Sequence, residues 1–267
     1  MHHTPRTVFL RACCLMLLLI SAVAVPGFAQ SYSCPDDNNG HCYGIVRFFA
    51  PGPPGTVGQF TGYATDVSIV PLNGGNGEIN DEMWMGQFNN PACPGLNGNI
   101  CWVEVGLSAG ANAGGCSIPN NQTHFFWADN RPNGGFVCHD MGPVQAGDFG
   151  KRAWLIIWNS SVQLQPNSFV AQAGPPTGIL GGLSTNNSMQ PDHVDMGMEL
   201  EGSSGANGPP AEFSANQFSQ NPKPALGFQF LKFNGTVLKL GKNPPTAFWS
   251  SLPSSSGFGG DFRTSHP

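Results

Sequence analysis

The sequence predicts an all-β protein of two packed antiparallel sheets, and three observations predict it. Gly and Pro are abundant and spread along the chain, 36 and 24 of them in 267 residues, with Asn beside many at candidate turns. Between these turn signals stand short runs that are either apolar or alternate apolar with polar, the period of a strand with one covered face. Beyond residue 30 no helix-length amphipathic stretch appears.

Taken in order, the chain opens with Arg6 and Arg11 before an apolar run from Cys13 to Val25 and a Gly27-Phe28-Ala29 ending. That is the pattern of a secretory signal peptide cut after Ala29. The run is too short for a membrane span, and no later stretch reaches the roughly 18 apolar residues a span requires. The expected organisation is a signal peptide over 1–29, one sandwich domain over 30–249 and a flexible Ser-, Gly- and Pro-rich tail over 250–267. The expected location is outside the cytoplasm, extracellular or periplasmic, with no membrane contact after cleavage. Without Arg6 and Arg11, nine basic residues face sixteen acidic ones, a balance of −7, and no Lys or Arg cluster stands out. Phosphate contacts need such clusters, which argues against nucleic acid as a partner.

Strands are expected near 43–49, 61–71, 79–88, 100–107, 123–129, 135–141, 152–158, 160–164, 167–173, 194–201, 227–233 and 235–240. So many strands in one domain fold as two packed sheets. Ala153 to Trp158 is apolar on both faces, as a central strand covered on both sides is, and Trp154 and Trp158 read as core. Residues 30–42 and 50–59 read as loops, and 202–225 as a long connection. Loss of Cys13 and Cys14 leaves six cysteines; an even number in an exported chain reads as disulfides, and proximity pairs Cys34 with Cys42, Cys93 with Cys101 and Cys116 with Cys138. No Cys-x-x-Cys argues for zinc, and no cofactor or metal site is called for; the Asp192, His193, Asp195 group and the His139-Asp140 pair read as solvated turns.

Acid groups concentrate in Asp192 to Gly202, DHVDMGMELEG, within a chain that is only 10% charged. Written as a strand, Asp195, Gly197, Glu199 and Glu201 share one face and Met196, Met198 and Leu200 the other. Carboxylates gathered on one strand face lie on a wet surface or line a cleft. Glu199 and Glu201, about 7 Å apart at Cα, are spaced for a paired acid and base. A second acidic strand, Glu78-Ile79-Asn80-Asp81-Glu82, puts Glu78, Asn80 and Glu82 on one face. It resembles the E-x-D-x-E strand of laminarinase-type jelly-roll glycosidases, whose outer glutamates serve as nucleophile and acid, with Asn80 in the middle place. In Trp102-Val103-Glu104-Val105-Gly106-Leu107, Trp102 and Glu104 share a face. Phe125, Trp127 and Asp129 repeat that arrangement one strand later. A Trp beside an acid on an open sheet face stacks a sugar ring and bonds its hydroxyls.

The order WVEVGL (102–107), HFFWADNRP (124–132), VQAGD (144–148) and VDMGMELEGSSGANGPPAEFSANQF (194–218) resembles the order of segments in the eqolisin glutamic peptidases. The resemblance implies a jelly roll of two packed sheets similar to concanavalin-type lectins. That family's AEWIVE segment falls on Val194 to Glu199, so its two acids match Asp195 and Glu199. Its Q-T-G strand has no counterpart: Ser108 to Asn121 is rich in Gly and Asn, and Gln122-Thr123 is the nearest candidate. The catalytic set this implies is Glu199 or Asp195 as general base on water, with the Gln122 amide stabilising the oxyanion.

Three functions stay open on these grounds. The first is binding of an extracellular polysaccharide on a face carrying Trp102, Glu104, Trp127, Asp129 and Glu201. The second is an acid-active hydrolase, of the glutamic-peptidase type with a protein substrate or a jelly-roll glycosidase. The third is a surface protein with no site.

Overall fold

The computed structural model describes residues 41–50, 52, 58–93, 99–161, 164–175, 178–201, 206–221, 231–232, 239–240, 252–253 and 262–266. The strands are β1 (His41–Phe49), β2 (Gly62–Ser68), β3 (Glu78–Gln87), β4 (Cys101–Ala109), β5 (His124–Arg131), β6 (Gly135–Pro143), β7 (Arg152–Asn159), β8 (Phe169–Gly174), β9 (Leu180–Ser184), β10 (His193–Glu201) and β11 (Gly208–Ser219). Four short ones follow, β12 (Leu231–Lys232), β13 (Lys239–Leu240), β14 (Leu252–Pro253) and β15 (Phe262–His266).

They form two antiparallel sheets. One runs β13, β1, β10, β3, β4, β5, β6; the other runs β14, β15, β11, β2, β7, β8, β9, with β12 beside β11. Alternation along each strand sends apolar side chains between the sheets. Val46, Phe48, Met83, Met85, Val103, Val105, Met196 and Met198 from the first sheet meet Tyr63, Val67, Leu155, Ile157, Phe169 and Phe213 from the second, all fully buried in one core. The four methionines are unbranched and fill the uneven gap between two twisted surfaces. Two disulfides are formed, Cys93–Cys101 and Cys116–Cys138. The first links the β3–β4 connection to the start of β4, and the second ties the segment before β5 to the edge strand β6. The pairing of Cys34 with Cys42, the signal peptide and its cleavage point lie outside the described residues, as do residues 30–40 and, of the strands expected at 227–233 and 235–240, residues 227–230, 233 and 235–238.

Several expectations are corrected. Of the strand expected over 160–164, the described residues Ser160, Ser161 and Leu164 are not in a strand; Ser160 Oγ lies 2.6 Å from Ser168 Oγ and the Leu164 N–H donates to the Ser160 carbonyl. β7 alternates buried and half-buried positions, so Trp154 and Trp158 lie half-buried on its outer face and only Ala153, Leu155 and Ile157 enter the core. The supposed connection 202–225 contains β11, whose ladder slips between Gly208 and Ala211. Pro209 and Pro210 sit in that slip, where the missing N–H groups break no pairing. β9 is also additional; its Gly182 faces Trp127 so closely that an added Cβ would lie 2.2 Å from the indole. Within 250–267, expected as a flexible tail, β15 pairs with β11 and β14 with β15.

Candidate active site

The outer face of the first sheet carries the acids. β10 lies between β1 and β3, so Glu199 stands opposite Tyr43 on one side and Asn80 on the other. Glu82 stands opposite Gly197 of β10 and Gly106 of β4. Trp84 stands opposite Asp195 and Glu104. Glu82 is therefore the diagonal neighbour of both Glu199 and Glu104, close enough for side chains to meet. Glycines on both flanks make this possible: a Cβ on Gly106 would lie 2.9 Å from the Glu82 Cβ and 2.4 Å from the Asp81 carbonyl oxygen. The bare Gly197, at φ 146°, also lets the Tyr43 and Trp84 rings meet edge to face at 5.4 Å across β10.

Glu78, Glu82, Glu104 and Glu199 gather on this face, the last three at 1%, 6% and 7% exposure. His41 answers them, its Nδ1 2.5 Å from Glu199 Oε1 and its Nε2 3.7 Å from Glu201 Oε1. The electrostatic outcome differs sharply between neighbours. Burial pulls the Glu199 carboxyl up, but the hydrogen bond and charge of His41, with the adjoining Glu82 and Tyr43, outweigh it and hold the group below its usual range. Burial, then repulsion from Glu199 and Glu104, keeps Glu82 protonated well above that range. Burial and the charges of Glu199 and Glu78 do the same to Glu104. Glu78 is pushed up to about 7 by burial and by Glu199, against the opposing hydrogen bond from Asn80 Nδ2 at 2.8 Å. Adjacent carboxyls driven apart in this way are the arrangement of an acid and its base.

Polar atoms without a protein partner of ordinary geometry concentrate here as well. Among the described residues they include Asn80 Oδ1, both Glu82 oxygens, Ser108 Oγ and Trp102 Nε1, which leans toward Glu104. Ser108 pairs with Asn80, so these groups form one patch around Glu82. Buried polar atoms are ordinarily satisfied, and a cluster that is not awaits a polar ligand or water.

The sequence-predicted residues divide. Glu199, Glu104 and Trp102 share this face, and Glu201 stands at its rim with a side chain 42% exposed. Trp127 and Asp129 do not join them. Trp127 pairs with Val105, points into the core and stacks on His139 at 4.0 Å. Asp129 pairs with Val103 on the same inward side, 1% exposed and 3.7 Å from Arg131 Nε. Asp195 faces outward but is closed off by Arg47, whose Nε donates to Oδ1 at 2.6 Å and whose second nitrogen bonds Oδ2. Gln122 is exposed before β5 and bonds His124 Nε2 at 3.0 Å. Its row, His124, Ser108, Asn80, Glu199, crosses three strand spacings of the sheet, about 14 Å. No amide reaches Glu199 from there. The residues that sequence reasoning missed are His41, Tyr43 and Trp84. His41, Tyr43 and Arg47 share one face of β1, alternating with Cys42, Gly44 and Val46, a pattern visible in the sequence, and Trp84 continues the Glu78, Asn80, Glu82 series.

No protein-family model matches the chain, and no curated protein matches it in sequence. Its fold does have solved counterparts. The Scytalido-glutamic peptidase with a peptide-based transition-state analogue superposes with a TM-score of 0.53 at 10% identity, over 85% of this chain and 98% of that one. The same peptidase with a transition-state analogue inhibitor gives 0.50 at 12% identity over the same shares. At these identities the likeness is one of fold.

Proposed function

We propose that this chain, sharing the two-sheet sandwich of the glutamic peptidases, is an acid-active hydrolase with Glu199 as base and protonated Glu82 as its partner. The observation that supports this reading is the juxtaposition of a carboxylate held ionised and a carboxyl held neutral, both buried and side by side on one sheet face. On a peptide bond, the Glu199 carboxylate removes a proton from water as the water oxygen bonds to the carbonyl carbon. The neutral Glu82 hydroxyl hydrogen-bonds the oxygen that becomes an oxyanion, the place first assigned to Gln122. A protonated carboxyl offers a donor there as an amide does. Glu199 then passes its proton to the nitrogen as the C–N bond breaks, and the carbonyl reforms. The disulfides Cys93–Cys101 and Cys116–Cys138 suit a protein that works after export.

Polysaccharide binding on the same face is the second reading, supported by Trp84 and Trp102, half-buried beside the acids. One assay separates the two. Cleavage of denatured protein at acid pH, lost in Glu199→Gln, supports the peptidase reading. Retention on insoluble glucan or chitin with no cleavage of protein or glycan rejects it in favour of binding. Glycan cleavage lost in Glu78→Gln or Glu82→Gln supports a glycosidase.

A further inference from the structure

We propose that His41 is the positioning residue of this site, the group that decides which carboxyl of the Glu199 and Glu82 pair is left ionised, and so sets the pH window of the hydrolase reading on which this rests. The geometry singles it out. Nδ1 lies 2.5 Å from Glu199 Oε1 and Nε2 faces Glu201 Oε1 at 3.7 Å. A ring with a carboxylate at each nitrogen carries a proton on both, as the imidazolium does. Groups from every neighbouring element face it: Glu199 and Glu201 from β10, Glu78 from β3, and on its own strand Tyr43, stacked at 6.2 Å. Of the four gathered glutamates, Glu199 is the one in hydrogen-bond contact with a cation, while the other nearby cation of β1, Arg47, is committed to Asp195. Without the imidazolium, Glu199 keeps the hydrogen bonds of Tyr43 and Glu82 but loses its one cation, and its preference over Glu82 for the ionised form narrows.

His41 has no contact with the reacting atoms in this scheme; it acts through Glu199. Its proton is held up to about 9, where burial opposes and the Glu199 contact and the charges of Glu201 and Glu78 prevail. The window therefore has an acid limb where Glu199 takes up a proton and an alkaline limb where Glu82 loses its own.

The experiment is the pH profile of kcat/KM for His41→Gln and His41→Lys, with the imidazole of the intact protein titrated by NMR. An opposite charge lowers a carboxyl by roughly 1–3 pH units, so its removal in His41→Gln moves the acid limb upward by that order. His41→Lys, which keeps the charge, leaves the limb nearer its original place. A uniform loss of rate with an unmoved limb in His41→Gln is the signature of a structural histidine and overturns the proposal. So does an imidazole already neutral at pH 7 in the unmodified protein, a measurement that does not require the variants to fold. An intact protein that hydrolyses nothing at any pH, yet shows a high-titrating His41, overturns the hydrolase reading and leaves the charge arrangement standing.

Discussion

Asp195 and Glu199 lie four residues apart on one face of one strand, both buried and each met by a cation from β1. Their surroundings differ above all in how that cation is shared. Asp195 has Arg47 to itself, gripped through two nitrogens in the planar match of guanidinium and carboxylate. Glu199 shares one imidazole with Glu201 and Glu78, and meets a further carboxyl in the adjoining Glu82. Where carboxyl and cation are matched one to one, the acid is structural. Where carboxyls outnumber the cation, protons must fill the difference, and the site holds acid and base together.

The largest effect expected from breaking this contrast is at Glu199. Replacing it with Gln lowers acid hydrolysis by roughly 10²–10⁴-fold, the usual contribution of a general base, with the fold intact by circular dichroism. Asp195→Asn has the converse result: a stability loss of about 3 kcal/mol in denaturant melts, because Arg47 is left buried without its counter-charge, and near-normal activity per folded molecule. The contrast sharpens at Glu82. If its work is to donate from a neutral group, Glu82→Gln retains most activity while Glu82→Ala does not, whereas at Glu199 the amide is as damaging as any truncation. Gly106→Ala drives a methyl into Glu82 and the Asp81 carbonyl and costs about 1–3 kcal/mol, read as a lowered denaturation midpoint.

The smallest effect is on stability against pH. Glu78, raised from 4.5 to about 7, and His41, raised from 6.5 to about 9, bind protons more tightly folded than unfolded. Their contributions are present at low pH and are lost as pH rises through those values; Glu82 and Glu104 act in the same direction. Glu199, held below 4.5, contributes above that value and loses its share in stronger acid. Thermal melts should thus give the highest Tm on the acid side of neutrality and a steady fall toward pH 9, a fall that shrinks in Glu78→Gln.

Much of this was legible along the chain, because alternation and turn residues are local. β1, β3, β4, β5, β7 and β10 stand within two residues of where the pattern puts their ends, with the β5 and β6 hairpin beside them. β11 was hidden because its prolines resemble a loop, and only the slipped ladder explains how a strand tolerates them. The site was half legible. The parity of β10 follows from its own acids and methionines, but the parity of β5 does not: Phe125, Trp127 and Asp129 look outward by their acid, while the register with Val103 and Val105 turns them inward. Register across strands is a long-range property, and the company of Glu82 and Glu199 depends on it entirely.

The insertion of β10 between β1 and β3 has a consequence for timing. His41 and Glu199 are 158 residues apart along the chain, yet they touch. While the polypeptide is still being made, the early strands carry Glu82 and Glu104 without the Glu199 they are set against. The cluster is completed only when a late strand slots into the middle of an early sheet, so a partly synthesised chain has the glutamates but not the histidine contact that orders their protons.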